Sequence, residues 1–86
     1  MKKIIVYTAP SCPYCVRAKD LLKRRNISYE EVALSWDNIS AWRELEKKSG
    51  MKTVPQIFLE DKCLGGFTEL SALDQSGELE KLLSSN

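Results

Sequence analysis

An α/β fold built on a mixed four-stranded sheet is what this sequence predicts, and three observations carry that expectation. Short β-branched runs alternate with amphipathic stretches in the first 50 residues, two closely spaced strand-like runs follow near residue 60, and leucines at helical spacing end the chain. Lys3 to Thr8 (K-I-I-V-Y-T) reads as the first strand, because the proline-containing stretch after it cannot continue a central strand. From Pro13 to about Arg25, Cys15, Ala18, Leu21 and Leu22 recur with helical period, and Pro13 suits a first helical turn that needs no N–H bond. Ile27 to Leu34 reads as a second strand. Asp37 is placed to cap a helix carrying Ile39, Trp42 and Leu45, which Gly50 stops. Gln56 to Glu60 and Lys62 to Leu64 form a hairpin around Asp61, ended by Gly65-Gly66. Phe67, Leu70 and Leu73, then Leu79, Leu82 and Leu83, give one or two further helices broken near Ser76-Gly77. The first two strands, joined through a helix, are expected to be parallel with a right-handed crossover.

A chain of 86 residues has room for a single modest core, so one domain over residues 1–86 is expected. Hydrophobic residues at 43% and charged residues at 29% suit an ordinary globular protein rather than a disordered one. The net charge of +1 hides a polarity: residues 1–29 hold seven Lys/Arg and one Asp (+6), residues 30–86 six Lys/Arg and eleven Asp/Glu (−5). This balance does not suit nucleic-acid binding, but it favours small anionic partners near the basic end. The apolar run Ile4 to Tyr7 is shorter than the roughly 7 to 15 residues of a signal-peptide core and the roughly 20 of a membrane span. A cytoplasmic location with no membrane partner is therefore expected.

Two of the three cysteines stand in Cys12-Pro13-Tyr14-Cys15 at the mouth of the first predicted helix. Only a thiolate attacks a disulfide, and a free cysteine with a pKa of about 8.5 supplies little of it at neutral pH. The unpaired N–H groups and positive dipole end of a helix stabilise the anion, which is a reason to put Cys12 there. Cys15, three residues on and less exposed, can attack a mixed disulfide formed on Cys12 and release the reduced substrate. Cys12 is thus the expected nucleophile and Cys15 the resolver. Zinc needs about four ligands, and with no His and one other Cys a complete metal site is not expected.

C-P-Y-C at 12–15, T-V-P-Q-I-F at 53–58 and G-G at 65–66 together resemble a dithiol glutaredoxin of the thioredoxin superfamily, over nearly the whole chain. The resemblance implies a thioredoxin-like fold with strand order 2-1-3-4 and a glutathione-dependent thiol-disulfide oxidoreductase. Its substrates would be protein disulfides and protein–glutathione mixed disulfides. It implies no tightly bound cofactor, with glutathione as reducing co-substrate. Electrons would come from NADPH through glutathione reductase, ribonucleotide reductase would be among the possible clients, and the protein would act as a monomer. It also implies a cis Pro55 facing the cysteines, with the Val54 backbone free to pair with a substrate. By the same resemblance Lys52 would contact the glycyl carboxylate of glutathione, Thr53 would belong to its site, the Gly65-Gly66 turn with Phe67, Thr68 and Glu69 would hold its γ-glutamyl end, and Tyr14 would cover the site.

Read without the resemblance, Pro55 is a trans residue leading into a strand, Lys52 a solvated charge, and Gly65-Gly66 a plain turn. Two departures from the family pattern stand out: Ala9 replaces a lysine common three residues before the first cysteine, and Thr68-Glu69 replaces a more usual pair. A redoxin coupled to thioredoxin reductase and an iron–sulfur carrier are the rival readings, the former favoured by Ala9 and the latter disfavoured by the stiff Pro13. Cys63 reads as a small hydrophobe in a sheet, Trp36 and Trp42 as packing residues, and Lys23-Arg24-Arg25 as a basic helix end.

Overall fold

The structure, a computed structural model, describes residues 2–84; positions 1, 85 and 86 of the expected domain lie outside the described residues. Its elements are β1 (Ile4–Thr8), α1 (Pro13–Arg24), β2 (Tyr29–Ala33), α2 (Ile39–Ser49), β3 (Gln56–Leu59), β4 (Lys62–Gly65), α3 (Phe67–Ser76) and α4 (Glu78–Ser84). The strands form one sheet in the order β2-β1-β3-β4. β1 runs parallel to β2 and antiparallel to β3, and β3 pairs antiparallel with β4. This is the mixed order expected from the resemblance.

Alternation along β1 builds two cores. Ile4 and Val6 point to one face, where Ala18, Leu21 and Leu22 of α1, Leu70 of α3 and Leu79 and Leu83 of α4 close over them with Ile57 and Leu59. Ile5 and Tyr7 point to the other, where Leu45, Ala41 and Trp42 of α2 pack with Phe58. All four residues of β3 are buried, as a central strand covered on both faces requires. Each fully buried leucine or isoleucine contributes about 1.5–3 kcal/mol, so these residues hold β1 and β3, and the loops at their ends, in fixed relation.

Several boundaries differ from the sequence expectation, among them the start of β1 at Ile4 and the end of β2 at Ala33. The cap of α2 is Asn38, whose Oδ1 accepts the Ala41 N–H at 3.3 Å, while Asp37 is instead bonded by the Ser35 hydroxyl. β2 starts at Tyr29 rather than Ile27, because the Ile27 N–H closes α1 by donating to Leu22 O at 2.9 Å, with Asn26 left-handed at φ 57° and donating to Lys23 O. That pairing satisfies the last carbonyls of the helix and turns the Ile27 side chain into the core. The hairpin turns through both Glu60 (φ 55°) and Asp61, so β3 ends at Leu59, and β4 extends to Gly65. The break between the last two helices falls at Gly77 (φ 80°), as expected.

Candidate active site

β1 ends at the surface in Ala9-Pro10-Ser11, and Ser11 at φ 57° turns the chain into α1. Cys12 is the residue that caps α1: its backbone is extended and its Sγ accepts the Cys15 N–H at 3.2 Å. Pro13 occupies the first helical position and the first turn carries no acid, so nothing there opposes a negative sulfur at the positive end of the helix. The two sulfurs are joined as a disulfide, with Cα atoms 5.2 Å apart. Cys15 is 2% exposed while Cys12 is only half-buried, so an incoming disulfide reaches Cys12 first.

Beside Cys12 lies a hollow of about 200 Å³ lined by Tyr14, Met51, Thr53, Val54, Pro55, Gly66, Phe67, Thr68 and Glu69. Eight of the nine residues singled out beyond the cysteines therefore line one hollow. The Val54–Pro55 peptide is cis, and the Val54 carbonyl oxygen is 3.8 Å from Cys12 Sγ. Gly66 lets α3 approach this segment, since a Cβ there would come within 3.3 Å of the Pro55 oxygen. Tyr14 and Phe67 form an aromatic wall with ring centroids 6.0 Å apart, and the Arg17 guanidinium lies 5.1 Å from the Tyr14 ring centroid. Glu69 Oε1 accepts the Gly66 N–H at 2.7 Å, so part of its carboxylate already caps α3.

Lys52 does not line this hollow. Its Nζ is 4.0 Å from Glu46 Oε2, and it lines a neighbouring hollow with Trp36, Trp42 and Arg43. Ala9 is buried and leaves no cation before Cys12. Cys63 is a free, half-buried cysteine packed with Phe58 in the core beneath α2, matching its reading as a small hydrophobe.

Four features escaped the sequence reading. Gln56 is fully buried and its amide donates to the carbonyls of Met51 and Thr53, at 3.1 and 2.7 Å, which ties down the segment leading to Pro55. A lone amide in an otherwise apolar strand was its only signal. On the other side of the cysteines, a hollow of about 620 Å³ is lined by Cys12, Cys15, Thr8, Lys19 and Glu31 among others. There Glu31 accepts from the Thr8 hydroxyl at 2.7 Å and from Lys19 at 3.1 Å, which hold its carboxyl below the usual glutamate range. The Trp36 indole N–H donates to Pro10 O at 3.0 Å and its ring stacks on Trp42 at 5.1 Å, bracing the loop before Cys12 from β2–α2. The fourth is the bidentate pair of Arg25 and Asp74, which fastens the end of α1 to α3.

A redox pair at a helix mouth, set against the carbonyl that precedes a cis proline on a four-stranded mixed sheet, defines a thiol-disulfide oxidoreductase of thioredoxin-like fold. The glutaredoxin family model matches residues 4–64, and the chain belongs to the glutaredoxin family. It is 42% identical over 85 residues to the glutaredoxin of Pseudomonas aeruginosa, covering 98% of this chain and 99% of that one. The solution structure of glutaredoxin from Brucella melitensis superposes with a TM-score of 0.83 at 40% identity, covering 96% of this chain and 89% of that one. The crystal structure of a buckwheat glutaredoxin–glutathione complex does so with a TM-score of 0.86 at 25% identity, covering 96% and 77%.

Proposed function

We propose that the protein reduces protein disulfides and protein–glutathione mixed disulfides with glutathione as its reductant. The observation that carries this reading is the hollow beside Cys12, lined by Tyr14, Thr53, Val54, Pro55, Gly66, Phe67, Thr68 and Glu69. A tripeptide with two carboxylates and an amine needs backbone partners for its extended chain and donors for its carboxylates. The Val54 backbone offers the first, and the mouth of α3 with the Thr68 hydroxyl offers the second. That a buckwheat relative of the same fold forms a complex with glutathione supports the reading. Lys52 would reach the glycyl carboxylate by leaving Glu46, a weak exposed pair whose loss costs little.

The chemistry runs in balanced exchanges. The Cys12 thiolate attacks one sulfur of a client disulfide, and the other sulfur leaves as a thiolate and takes up a proton. Cys15 loses its proton and attacks Cys12 Sγ, which frees the second client thiol and leaves the Cys12–Cys15 disulfide. One glutathione thiolate then opens that disulfide at Cys12, and a second attacks the resulting Cys12–glutathione bond, releasing glutathione disulfide and the dithiol. With a glutathionylated client, Cys12 takes the glutathionyl group directly and Cys15 is not needed. We further place the protein in the cytoplasm as a monomer, drawing electrons from NADPH through glutathione reductase, with ribonucleotide reductase among its candidate clients. Among the described residues no helix is long and apolar enough to cross a membrane.

The deciding experiment is NADPH-linked turnover of a glutathionylated peptide with glutathione and glutathione reductase. Turnover is expected to survive Cys15→Ser and to vanish with Cys12→Ser. Absence of turnover in the unmodified protein, with thioredoxin reductase able to reduce it instead, would overturn the glutathione reading.

A further inference from the structure

Folding sorts the positive charge that the sequence concentrates before residue 30. Lys3 pairs with Glu30, Lys19 with Glu31 and Arg25 with Asp74. Arg17, Lys23 and Arg24 are exposed on α1 and form no salt bridge among the described residues, although the Lys23 charge still acts on the Glu31 carboxylate, and Asp20 is the one acid in that helix. These four residues line a single hollow of about 400 Å³ whose remaining wall is Phe67. Phe67 also lines the hollow beside Cys12, so the two hollows flank one aromatic ring.

We propose that this groove along α1 docks an acidic polypeptide segment of a client protein, next to the disulfide that Cys12 attacks. Charge complementarity selects the occupant: three cations against one carboxylate, on the outer face of the helix that Cys12 caps. Distance selects its spacing. At about 1.5 Å of rise per residue, Arg17 lies about 7.5 Å and Arg24 about 18 Å along α1 from Cys12. An extended chain covers that span in about two to five residues, so the acidic side chains sit about two to five positions from the client cysteine. Exposed charges act over roughly a Debye length, about 10 Å at 0.1 M salt, so the groove speeds encounter and sets client preference rather than altering the sulfur chemistry. The inference rests on the dithiol chemistry and is independent of glutathione.

The test uses the reduced protein and peptides bearing one cysteine linked to thionitrobenzoate, with three residues on one flank as Glu, Gln or Lys. Cys12 attacks the peptide sulfur and coloured thionitrobenzoate leaves as its thiolate. Cys15 then gives up its proton and displaces the peptide thiol, so the dithiol loses two electrons and the peptide disulfide gains two. The second-order constant of the coloured step is the readout. At low salt the Glu peptide is expected to react about tenfold faster than the Gln peptide and the Lys peptide slower still, with the advantage falling to about twofold at 0.5 M salt. Lys23→Glu with Arg24→Glu should abolish or invert that order while leaving the Gln peptide unchanged, and Asp20→Asn should widen it. Equal constants for all flanks at low salt, or a preference that none of these substitutions moves, would overturn the docking groove while leaving the thiol chemistry standing. Binding to phosphatidylserine vesicles that the double substitution abolishes, without any flank preference, would reassign the face to a lipid surface and also overturn it.

Discussion

Cys12 and Cys15 share a motif but not an environment: Cys12 is half-buried and Cys15 is 2% exposed, and this difference supports their proposed roles as nucleophile and resolver. Side chains without redox chemistry hold that arrangement. Glu31 is one, with its carboxyl lowered first by the Thr8 hydroxyl and then by Lys19. A carboxylate whose folded pKa is depressed stabilises the fold above its unfolded value, about 4.3, and loses that contribution as pH falls through the folded value. Glu31→Gln is therefore expected to cost up to about 1 kcal/mol at pH 7, discounted for partial exposure, and less at about pH 3, below the unfolded value. Urea unfolding at the two pH values checks this. Gln56→Leu removes two hydrogen bonds that fix the chain before Pro55. A loss of about 1–3 kcal/mol is expected, with a raised KM for glutathione if that segment forms the site.

At the scale of elements, the proposed activation of Cys12 rests on the mouth of α1, since Ala9 brings no charge to it. Val16 lies in the first turn and is 52% exposed, so Val16→Glu sets a negative charge against the thiolate without disturbing the core. The pH midpoint of Cys12 alkylation by iodoacetamide should rise by about half a unit, since a charge at a helix end is worth about 0.3–1 kcal/mol. The β4–α3 junction offers a second check. Gly65 has φ 115°, and a Cβ there would stand 2.7 Å from Glu69 Cγ. Gly65→Ala must displace Glu69 from the Gly66 N–H and adopt a backbone that L-residues avoid, so a loss of at least about 1 kcal/mol is expected in thermal unfolding.

Over the whole molecule, 86 residues leave little reserve. Leu22, fully buried between α1 and the sheet, anchors the main core. Leu22→Ala should cost about 2–5 kcal/mol, a large share of the roughly 5–15 kcal/mol that holds a domain together. With a urea slope of about 1 kcal/mol/M, the midpoint falls by about 2 M or more. The order of elements was legible because each carries its own local signal: a β-branched and aromatic run in Ile4 to Tyr7, a spacing of three and four in α1, and glycines at 50 and 77 where the chain reverses. Boundaries were less legible where two local solutions compete, as when Asn38 rather than Asp37 caps α2, or when Ile27 closes a helix instead of opening a strand.

The sequence by itself determined the dithiol and its support: one cysteine at a helix mouth, a second one turn inside, and strands and helices enough to carry them. These follow from contacts between near neighbours, which spacing encodes. Tertiary structure alone decided what residues distant in the chain do together. It turned Lys52 toward Glu46, set Gln56 beneath Met51 and Thr53, and joined Thr8, Lys19 and Glu31 in one network. It also neutralised Lys3, Lys19 and Arg25 while leaving Arg17, Lys23 and Arg24 facing water. Which charges survive folding unpaired depends on the partners that packing brings within reach, and no periodicity along the chain records that.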